Sequence, residues 1–336
     1  MSKLDVSELL DRATLAADAP IRHLERLPGG VSSLTYSAHM DDRRVVVKVA
    51  PPGLAPVRNR DVLRQARLLK ALHGTPVRVP EVLVEDAGTP PFFVMDFVAG
   101  ESYEPALDVS PAPPTPEVVR VRALAAAAML AELQRVPAPA DEPELPLREE
   151  LDRWMRLYAT VPEELHFAQA ELHRRLAASL PASVPPAILH GDYRIGNMQF
   201  DGERLAAIID WEIWSLGDPR TDLAWLITWL DPVQVFYEHR SEADELATTG
   251  LPSRAELIAA YGDEPADMLW FEAYCRYKMA STTAVLVKHN RRSATPKSHL
   301  EVAGTTIQAM LERGLATLDA YQPLADVAPG EHVDQR

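Results

Sequence analysis

The sequence contains a single cysteine, Cys275, among 336 residues. One thiol cannot form an intramolecular disulfide or a cysteine-rich zinc site, which fits a reducing compartment. The sequence also has no apolar stretch at its N-terminus of the kind found in signal peptides, and no run that approaches the roughly 18 apolar residues of a membrane span. We therefore expect a cytoplasmic protein with no membrane partner.

Positive charge is in the minority: 34 Lys and Arg side chains stand against 49 Asp and Glu, for a net charge of −15. Binding of nucleic acids requires clustered positive charge, so we expect no nucleic-acid partner. The acidic balance identifies no ligand, because it also serves solubility. The length exceeds the size at which one hydrophobic core usually stops growing, which indicates two lobes. Nothing in the sequence indicates an oligomeric state.

The first hundred residues contain the strand signals. Ser37–Met40 and Arg44–Val49 predict a hairpin, and Phe92–Val98 predicts a further strand. Between them, Arg58–His73 has apolar residues at helical spacing. The predicted order is strands, helix, strand.

The rest of the chain is predominantly helical in pattern. Residues 104–116 are rich in proline and predict a connection between lobes. Apolar faces of period 3.6 predict helices at Glu117–Val136, Leu147–Tyr158, Pro162–Leu180, Arg254–Tyr261, Ala266–Val287 and His299–Tyr321. One strand-like region, here called the β island, interrupts them and consists of Ile188–Phe200 and Leu205–Trp211. The pattern predicts an α+β, protein-kinase-like bilobal fold, with a nucleotide-binding lobe at 1–99, a helical catalytic and substrate-binding lobe at 100–323 and a frayed tail at 324–336.

The island carries the strongest chemical signal, the strings ILHGDYRIGN and IIDWE. Phosphoryl transfer requires a positioned hydroxyl, neutralised phosphates and an acceptor for the departing proton. Asp192 is the candidate catalytic base. Asn197, five residues later, and Asp210, after the next strand, provide the amide and carboxylate oxygens that Mg²⁺ prefers.

A simpler interpretation makes Asp192 and Asn197 ordinary loop residues, since Asp, Asn and Gly are common in turns. The spacing D-x-x-x-x-N alone would not exclude this. The flanking apolar strands and the second aspartate favour the catalytic interpretation. We expect His190 to brace the loop, while Glu212 could either touch a second metal or be an exposed turn carboxylate.

Together with the following GDPRTDLA, these strings resemble the aminoglycoside phosphotransferase and choline kinase superfamily, and within it the branch found beside or fused to acyl-CoA dehydrogenases. The resemblance extends from about Ile21 to about Met310. It implies ATP, with GTP as an alternative, Mg²⁺, and a small-molecule hydroxyl acceptor. The acceptor could be an antibiotic, which would imply a role in resistance, or a cellular alcohol or a hydroxyacyl thioester.

The resemblance also implies a nucleotide site upstream. Lys48 occupies the position of the strand lysine that contacts the α- and β-phosphates. Gly30, Ser32 and Ser33 occupy that of the nucleotide-positioning loop, where small residues allow close approach to phosphates. In the segment that resembles the adenine-binding hinge, Asp96 would offer its carbonyl and Val98 its N–H.

One residue departs from the family pattern. Gln65 stands where the family usually has a glutamate that pairs with the strand lysine; Gln65 can hydrogen-bond Lys48 but cannot neutralise it. Asp61, one turn earlier on the helix, is a possible substitute. The departure motivates an alternative function, a catalytically weak or inactive nucleotide-binding regulatory module. Further along the chain, the resemblance assigns Asp218 and Asp222 to holding the catalytic loop, through Arg194 or backbone N–H groups.

Overall fold

The computed structural model describes residues 4–27, 33–230 and 233–322. The predicted phosphate-loop residues Gly30 and Ser32, and the predicted tail, lie outside the described residues. The chain divides into two compact units, one of Met1–Pro146, Pro185–Pro232 and Tyr237–Asp263, the other of Leu147–Val184, Val233–Phe236 and Glu264–Arg336. All of the candidate site residues belong to the first unit.

The N-terminal region of the first unit is an antiparallel sheet with two helices. In chain order its elements are α1 (Val6–Ala17), β1 (Ile21–Arg26), β2 (Leu34–Met40), β3 (Arg43–Val49), α2 (Val62–Leu72), β4 (Val82–Asp86) and β5 (Phe92–Asp96). The strand order is β1-β2-β3-β5-β4, which places β3 in the middle. The predicted β2–β3 hairpin is confirmed, and its register pairs Thr35 with Lys48. Val45, Val47 and Val49 of β3 belong to a buried cluster that includes residues of α1, and Lys48 lies between the last two of them in the strand.

Helix α2 starts later than predicted. Residues Arg58–Arg60 form a separate 3-10 turn, and the helix begins at Val62. The reason is the side chain of Asp61, which accepts a hydrogen bond from the N–H of Arg64 at 3.0 Å and so caps the helix.

After β5 the chain is mostly helical. The remaining elements are α3 (Pro116–Arg135), α4 (Leu147–Tyr158), α5 (Gln169–Ala178), β6 (Ala187–Leu189), β7 (Met198–Asp201), β8 (Arg204–Ile208), β9 (Ser215–Gly217), α6 (Arg220–Thr228), α7 (Glu242–Thr248), α8 (Arg254–Tyr261), α9 (Met268–Arg291), α10 (Ser298–Gly304) and α11 (Ile307–Asp319). The predicted α+β fold class is confirmed. In the first unit, α3 packs against α6, α7, α8, β6 and β8.

The second unit is built around α9, against which α4, α5, α10 and α11 pack. Two of its predicted helices are shorter or divided. The predicted Pro162–Leu180 consists of a 3-10 turn followed by α5, and the predicted His299–Tyr321 is broken between α10 and α11. At this break, the hydroxyls of Thr305 and Thr306 donate to backbone carbonyls three residues earlier, which competes with helix continuation.

Within the described ranges, no helix is both long enough and apolar enough to cross a membrane.

Candidate active site

The turn that carries Asp192 follows directly after β6. Its Gly191 has φ +85°, and a Cβ there would lie 2.8 Å from the backbone oxygen of Ile213, so a side chain is excluded by both conformation and space. The carboxylate of Asp222 accepts from the N–H groups of His190 (2.6 Å) and Gly191 (3.1 Å). His190 itself is buried, and its Nε2 lies 2.8 Å from the carbonyl oxygen of Ile209. These bonds fix the turn from both sides.

Three donors hold the carboxylate of Asp192. Trp225 Nε1 donates to Oδ1 at 2.8 Å, Asn197 Nδ2 donates to Oδ2 at 2.8 Å, and Arg194 Nε lies 3.3 Å from Oδ2. Burial acts to raise the pKa of Asp192, but the charges of Arg194 and His190 and the hydrogen bonds from Trp225 and Asn197 hold it below its ordinary value. The carboxylate is therefore ionised at neutral pH and able to accept a hydroxyl proton.

Asn197 and Asp210 lie at the same end of the β7–β8 hairpin. Asn197 precedes β7 directly, and its carbonyl accepts from the N–H of Ile209, next to Asp210, at 2.9 Å. Asp210 itself has φ 64° and ψ 52°, a left-handed conformation that is uncommon outside glycine. Such backbone conformations cluster at functional sites, where the surrounding contacts maintain them.

Lys48 reaches this hairpin from β3. Its Nζ lies 3.4 Å from Asp210 Oδ1 and 3.9 Å from Glu212 Oε2, and its side chain is only 8% exposed. Glu212 is largely buried beside the lysine, so it is not the exposed turn carboxylate considered from the sequence. The acidic neighbours of Lys48 therefore come from the segment that begins at Asp210.

In the part of the chain that the structure describes, Gln65 makes no hydrogen bond to Lys48. The Gln65 amide is buried and its nitrogen lies 3.5 Å from the carbonyl oxygen of Asn59. Asp61 does not substitute either, because its carboxylate is used by the helix cap and an ion pair with Arg67 at 3.6 Å. The carboxylates of Asp210 and Glu212, at 3.4 and 3.9 Å, give Lys48 acidic neighbours without an acid at position 65.

The other predicted nucleotide residues lie at strand ends. Ser33 immediately precedes β2, whose first residues pair with Val49 and Lys48. Its side chain is 2% exposed, and Oγ makes no hydrogen bond to any described residue. Asp96 ends β5, and Val98 lies two residues beyond it, where pairing with β3 has ended.

The donor set suits a hard cation. The side-chain amide of Asn197 donates two hydrogen bonds to Asp192, one to its backbone oxygen and one to Oδ2, each at 2.8 Å. The side-chain oxygen of Asn197 is then the atom that could ligate Mg²⁺. Asp210 contributes a carboxylate. Among residues 4–27, 33–230 and 233–322, no group of three or more His, Cys, Asp or Glu forms a metal site. One carboxylate and one amide match the way Mg²⁺ is held when phosphates and water complete its shell.

Two further residues at the site were missed from the sequence. Trp225 directly follows the string GDPRTDLA, and its indole N–H donates to Asp192. Glu104 lies in the proline-rich connection, and its carboxylate reaches the catalytic loop, accepting from the N–H of Gly196 at 2.9 Å and lying 3.5 Å from Arg194 Nη1. Asp218, expected to hold the loop, instead binds Arg220 through paired hydrogen bonds at 2.9 and 2.6 Å.

Glu104 should make stability fall with rising pH. Burial raises the pKa of Glu104 from 4.5 to about 7, although the charge of Arg194 and the hydrogen bond from Gly196 oppose this. Between these pH values the folded protein holds a proton that the unfolded chain has released, so the free energy of unfolding decreases with pH across this window, by on the order of 3 kcal/mol in total, and levels off above it.

This dependence can be isolated with Glu104→Gln, which retains an oxygen for the Gly196 N–H. We expect denaturant unfolding to give a stability difference, wild type minus variant, that declines between about pH 4.5 and pH 7. A difference that is constant over this range would contradict the assignment.

Comparison with known proteins identifies the family to which the chain belongs. The profile of the phosphotransferase enzyme family APH matches residues 23–258, which include every candidate site residue, and the chain belongs to this family.

Solved structures of similar fold include a Ralstonia eutropha protein classed as an aminoglycoside phosphotransferase (TM-score 0.69, 19% identity, covering 94% of this chain and 99% of that one). A spectinomycin phosphotransferase in complex with ADP and its antibiotic has a TM-score of 0.62 at 14% identity, with 94% and 99% coverage. A choline/ethanolamine kinase family protein from Mesorhizobium loti has a TM-score of 0.55 at 20% identity, with 94% and 99% coverage. These likenesses show the kinase-like fold.

Curated relatives carry the name of another enzyme class. An Arabidopsis thaliana protein named probable acyl-CoA dehydrogenase IBR3 is 32% identical over 87% of this chain and 39% of its own length. Mouse acyl-CoA dehydrogenase family member 11 is 26% identical over 88% of this chain and 41% of its own. The chain thus spans about two fifths of the length of these relatives.

Proposed function

We propose that this protein transfers the γ-phosphoryl group of ATP, bound with Mg²⁺, to a hydroxyl group of a small molecule. One observation carries the proposal: Asp192, Asn197, Asp210 and Lys48 form a continuous series of contacts. Asp192 accepts from Asn197 at 2.8 Å, Asn197 accepts from the residue before Asp210 at 2.9 Å, and Asp210 lies 3.4 Å from Lys48. The groups proposed as the base, the metal ligands and the cation for phosphate are thus adjacent.

The roles follow from the chemistry of each group. The acceptor hydroxyl donates a hydrogen bond to Asp192, and its proton passes to this carboxylate as the oxygen bonds to phosphorus and ADP departs with the electrons of the broken bond. Asn197 and Asp210 would hold Mg²⁺, which when bound neutralises charge on the phosphates. Lys48 supplies a fixed positive charge, with little exposure to solvent that would weaken it.

For the nucleotide, we propose that Ser33 lies at the phosphates together with Gly30 and Ser32. The Oγ atom of Ser33, which is buried and makes no hydrogen bond to any described residue, supports this placement. The carbonyl of Asp96 and the N–H of Val98 would bind adenine at the end of the β5 ladder. For Gln65, only the family resemblance supports a place in the nucleotide site.

The acceptor is tested by a screen for ADP release with Mg·ATP and with Mg·GTP. The panel contains aminoglycosides, macrolides, nucleoside antibiotics, choline-like alcohols and hydroxyacyl-CoA esters, the last because the curated relatives are named as acyl-CoA dehydrogenases. We expect at least one acceptor to raise ADP release well above the level with Asp192→Ala. Equal release by both proteins for every acceptor would refute the proposal.

Gln65 favours one second candidate, a regulatory module that binds nucleotide without transferring phosphate. This module would be stabilised against heat by Mg·ATP, but would neither transfer nor hydrolyse the γ-phosphate, and Asp192→Asn would leave all its activities unchanged. The burial of Lys48 between Asp210 and Glu212 argues against it, since the cation keeps its neutralising partners without an acid at position 65.

Trp225 offers a test of how the base is positioned. Trp225→Phe removes the N–H that binds Asp192 Oδ1 and keeps most of the aromatic volume. A hydrogen bond to a charged group contributes about 1.5–3 kcal/mol, so we expect kcat to fall by about 10- to 100-fold with little change in KM for ATP. Steady-state kinetics at saturating acceptor measure this change. An unchanged kcat would show that Trp225 does not position the base.

A further inference from the structure

Arg64, in the first turn of α2, makes an unusually complete set of contacts. Its Nε lies 3.0 and 3.1 Å from the two carboxylate oxygens of Glu142, and its Nη2 lies 2.6 Å from Oε1. Nη2 also donates to the carbonyl oxygen of Trp214 at 2.9 Å, and the guanidinium lies over the Trp214 ring, 3.9 Å from its centre. The side chains of Arg64 and Glu142 are 15% and 19% exposed, so solvent screens the pair less than it does surface ion pairs.

These contacts join three segments that are distant in the sequence. Arg64 belongs to the helix that packs on β4 and β5. Glu142 lies in the segment after α3, where Leu145 donates to the carbonyl of Leu216 at 2.8 Å. Trp214 lies four residues after Asp210, at the end of the 3-10 turn Trp211–Ile213. One planar cation thus connects the helix to the turn that immediately follows the candidate metal ligand.

Contacts hold the backbone on both sides of Asp210. Its left-handed backbone conformation must be maintained by neighbouring contacts. On the N-terminal side, Ile209 is held by the carbonyl of Asn197 at 2.9 Å. On the C-terminal side, Trp211 donates to the carbonyl of Ile208 at 3.0 Å, and Arg64 binds the carbonyl of Trp214. From α2, Arg64 thus makes a direct polar contact with the segment that follows Asp210.

We propose that Arg64, held by Glu142, is a positioning residue that fixes the turn after Asp210 and thereby sets where the Asp210 carboxylate meets the Mg²⁺ of the nucleotide. The inference rests on the proposed function and deepens it. Residues that orient metal ligands typically contribute 10- to 100-fold to metal affinity or activity. A lysine cannot replace Arg64, because it lacks the planar fork for Glu142 and for the carbonyl of Trp214.

The test compares Arg64→Lys and Glu142→Gln with a matched control, Arg120→Lys. Arg120 also makes a two-point contact with a carboxylate, that of Glu256, and joins α3 to α8. For each full-length protein, calorimetry measures ADP affinity as a function of Mg²⁺ concentration, and kinetics measure the Mg²⁺ dependence of kcat with an acceptor from the screen. Melting temperatures identify losses that come from unfolding.

For Arg64→Lys and Glu142→Gln we expect a higher Mg²⁺ requirement: the Mg²⁺ concentration that gives half of the maximal effect on ADP affinity and on kcat should rise about 10-fold or more. The affinity for ADP without Mg²⁺ should stay unchanged. Arg120→Lys should match the wild type. If the two variants keep the wild-type Mg²⁺ dependence, or lose ADP affinity equally with and without Mg²⁺, the inference is wrong even though the enzyme is active. If instead the wild type binds Mg·ADP but transfers no phosphate to any acceptor, the proposed function fails, and the calorimetric comparison still decides the role of Arg64.

Discussion

Asp192→Asn should reduce kcat for phosphoryl transfer by about 10²- to 10⁴-fold, the usual contribution of a general base, while Mg·ATP still binds. Asparagine has nearly the same size but cannot take up the hydroxyl proton at neutral pH. The lowered pKa of Asp192 means that its carboxylate is the working form, and the substitution removes this form at every pH.

The substitution also has a local cost that the experiment must separate. Oδ1 and Oδ2 of Asp192 accept from Trp225 and Asn197, and an asparagine must turn its NH₂ group toward one of these donors. Asp192→Ala avoids this clash and serves as the second variant. Asp201→Asn, an exposed carboxylate on the β7–β8 hairpin, is the control. Wild-type turnover by either Asp192 variant, with an acceptor that the wild type uses, would overturn the role of Asp192.

Asp210→Asn should lower kcat by about 10³-fold and raise the Mg²⁺ requirement, because a metal bound to phosphates supplies several kcal/mol of charge stabilisation and loses its anionic protein ligand. Asparagine tolerates the left-handed backbone conformation at this position, so the comparison isolates the charge. Lys48 retains Glu212 at 3.9 Å, which limits the damage to the nucleotide site.

Titration of activity with Mg²⁺ at fixed ATP measures this effect, and the stabilisation of the protein by ADP with and without Mg²⁺ measures it independently. Glu203→Gln removes an exposed carboxylate from the β7–β8 turn and should behave as the wild type. If Asp210→Asn retains both the wild-type turnover and the wild-type Mg²⁺ midpoint, Asp210 is not the metal ligand.

Local patterns in the sequence predicted some elements closely. The bounds of α4 and α8 agree with the structure, because their apolar spacing is regular and their starts carry clear signals, such as the capping box of Ser253 and Glu256. Strand β1 was missed because IRHLER alternates poorly and has little apolar content. Helix α6 was missed because all of its residues are buried, and a helix buried on every side shows no amphipathic period.

At the candidate site, too, local features could be predicted and contacts between distant residues could not. The spacing from Asp192 to Asn197 is local and visible in the sequence. The contacts of Trp225, Glu104 and Arg64 span 33 to 150 residues, and no short-range pattern reports them. Only the fold shows that a connecting segment supplies Glu104 and that a helix arginine reaches the turn after Asp210.

The most direct test of the central claim follows the phosphate itself. Wild type and Asp192→Ala are incubated with Mg²⁺, an acceptor from the screen and ATP labelled in its γ-phosphate, and the label is located by chromatography and mass spectrometry. With the wild type we expect the label to move to a hydroxyl oxygen of the acceptor, and with Asp192→Ala we expect it to stay in ATP. Label that never reaches an acceptor although Mg·ATP binds, or that reaches it equally with both proteins, would show that Asp192 is not the base of a phosphoryl transfer.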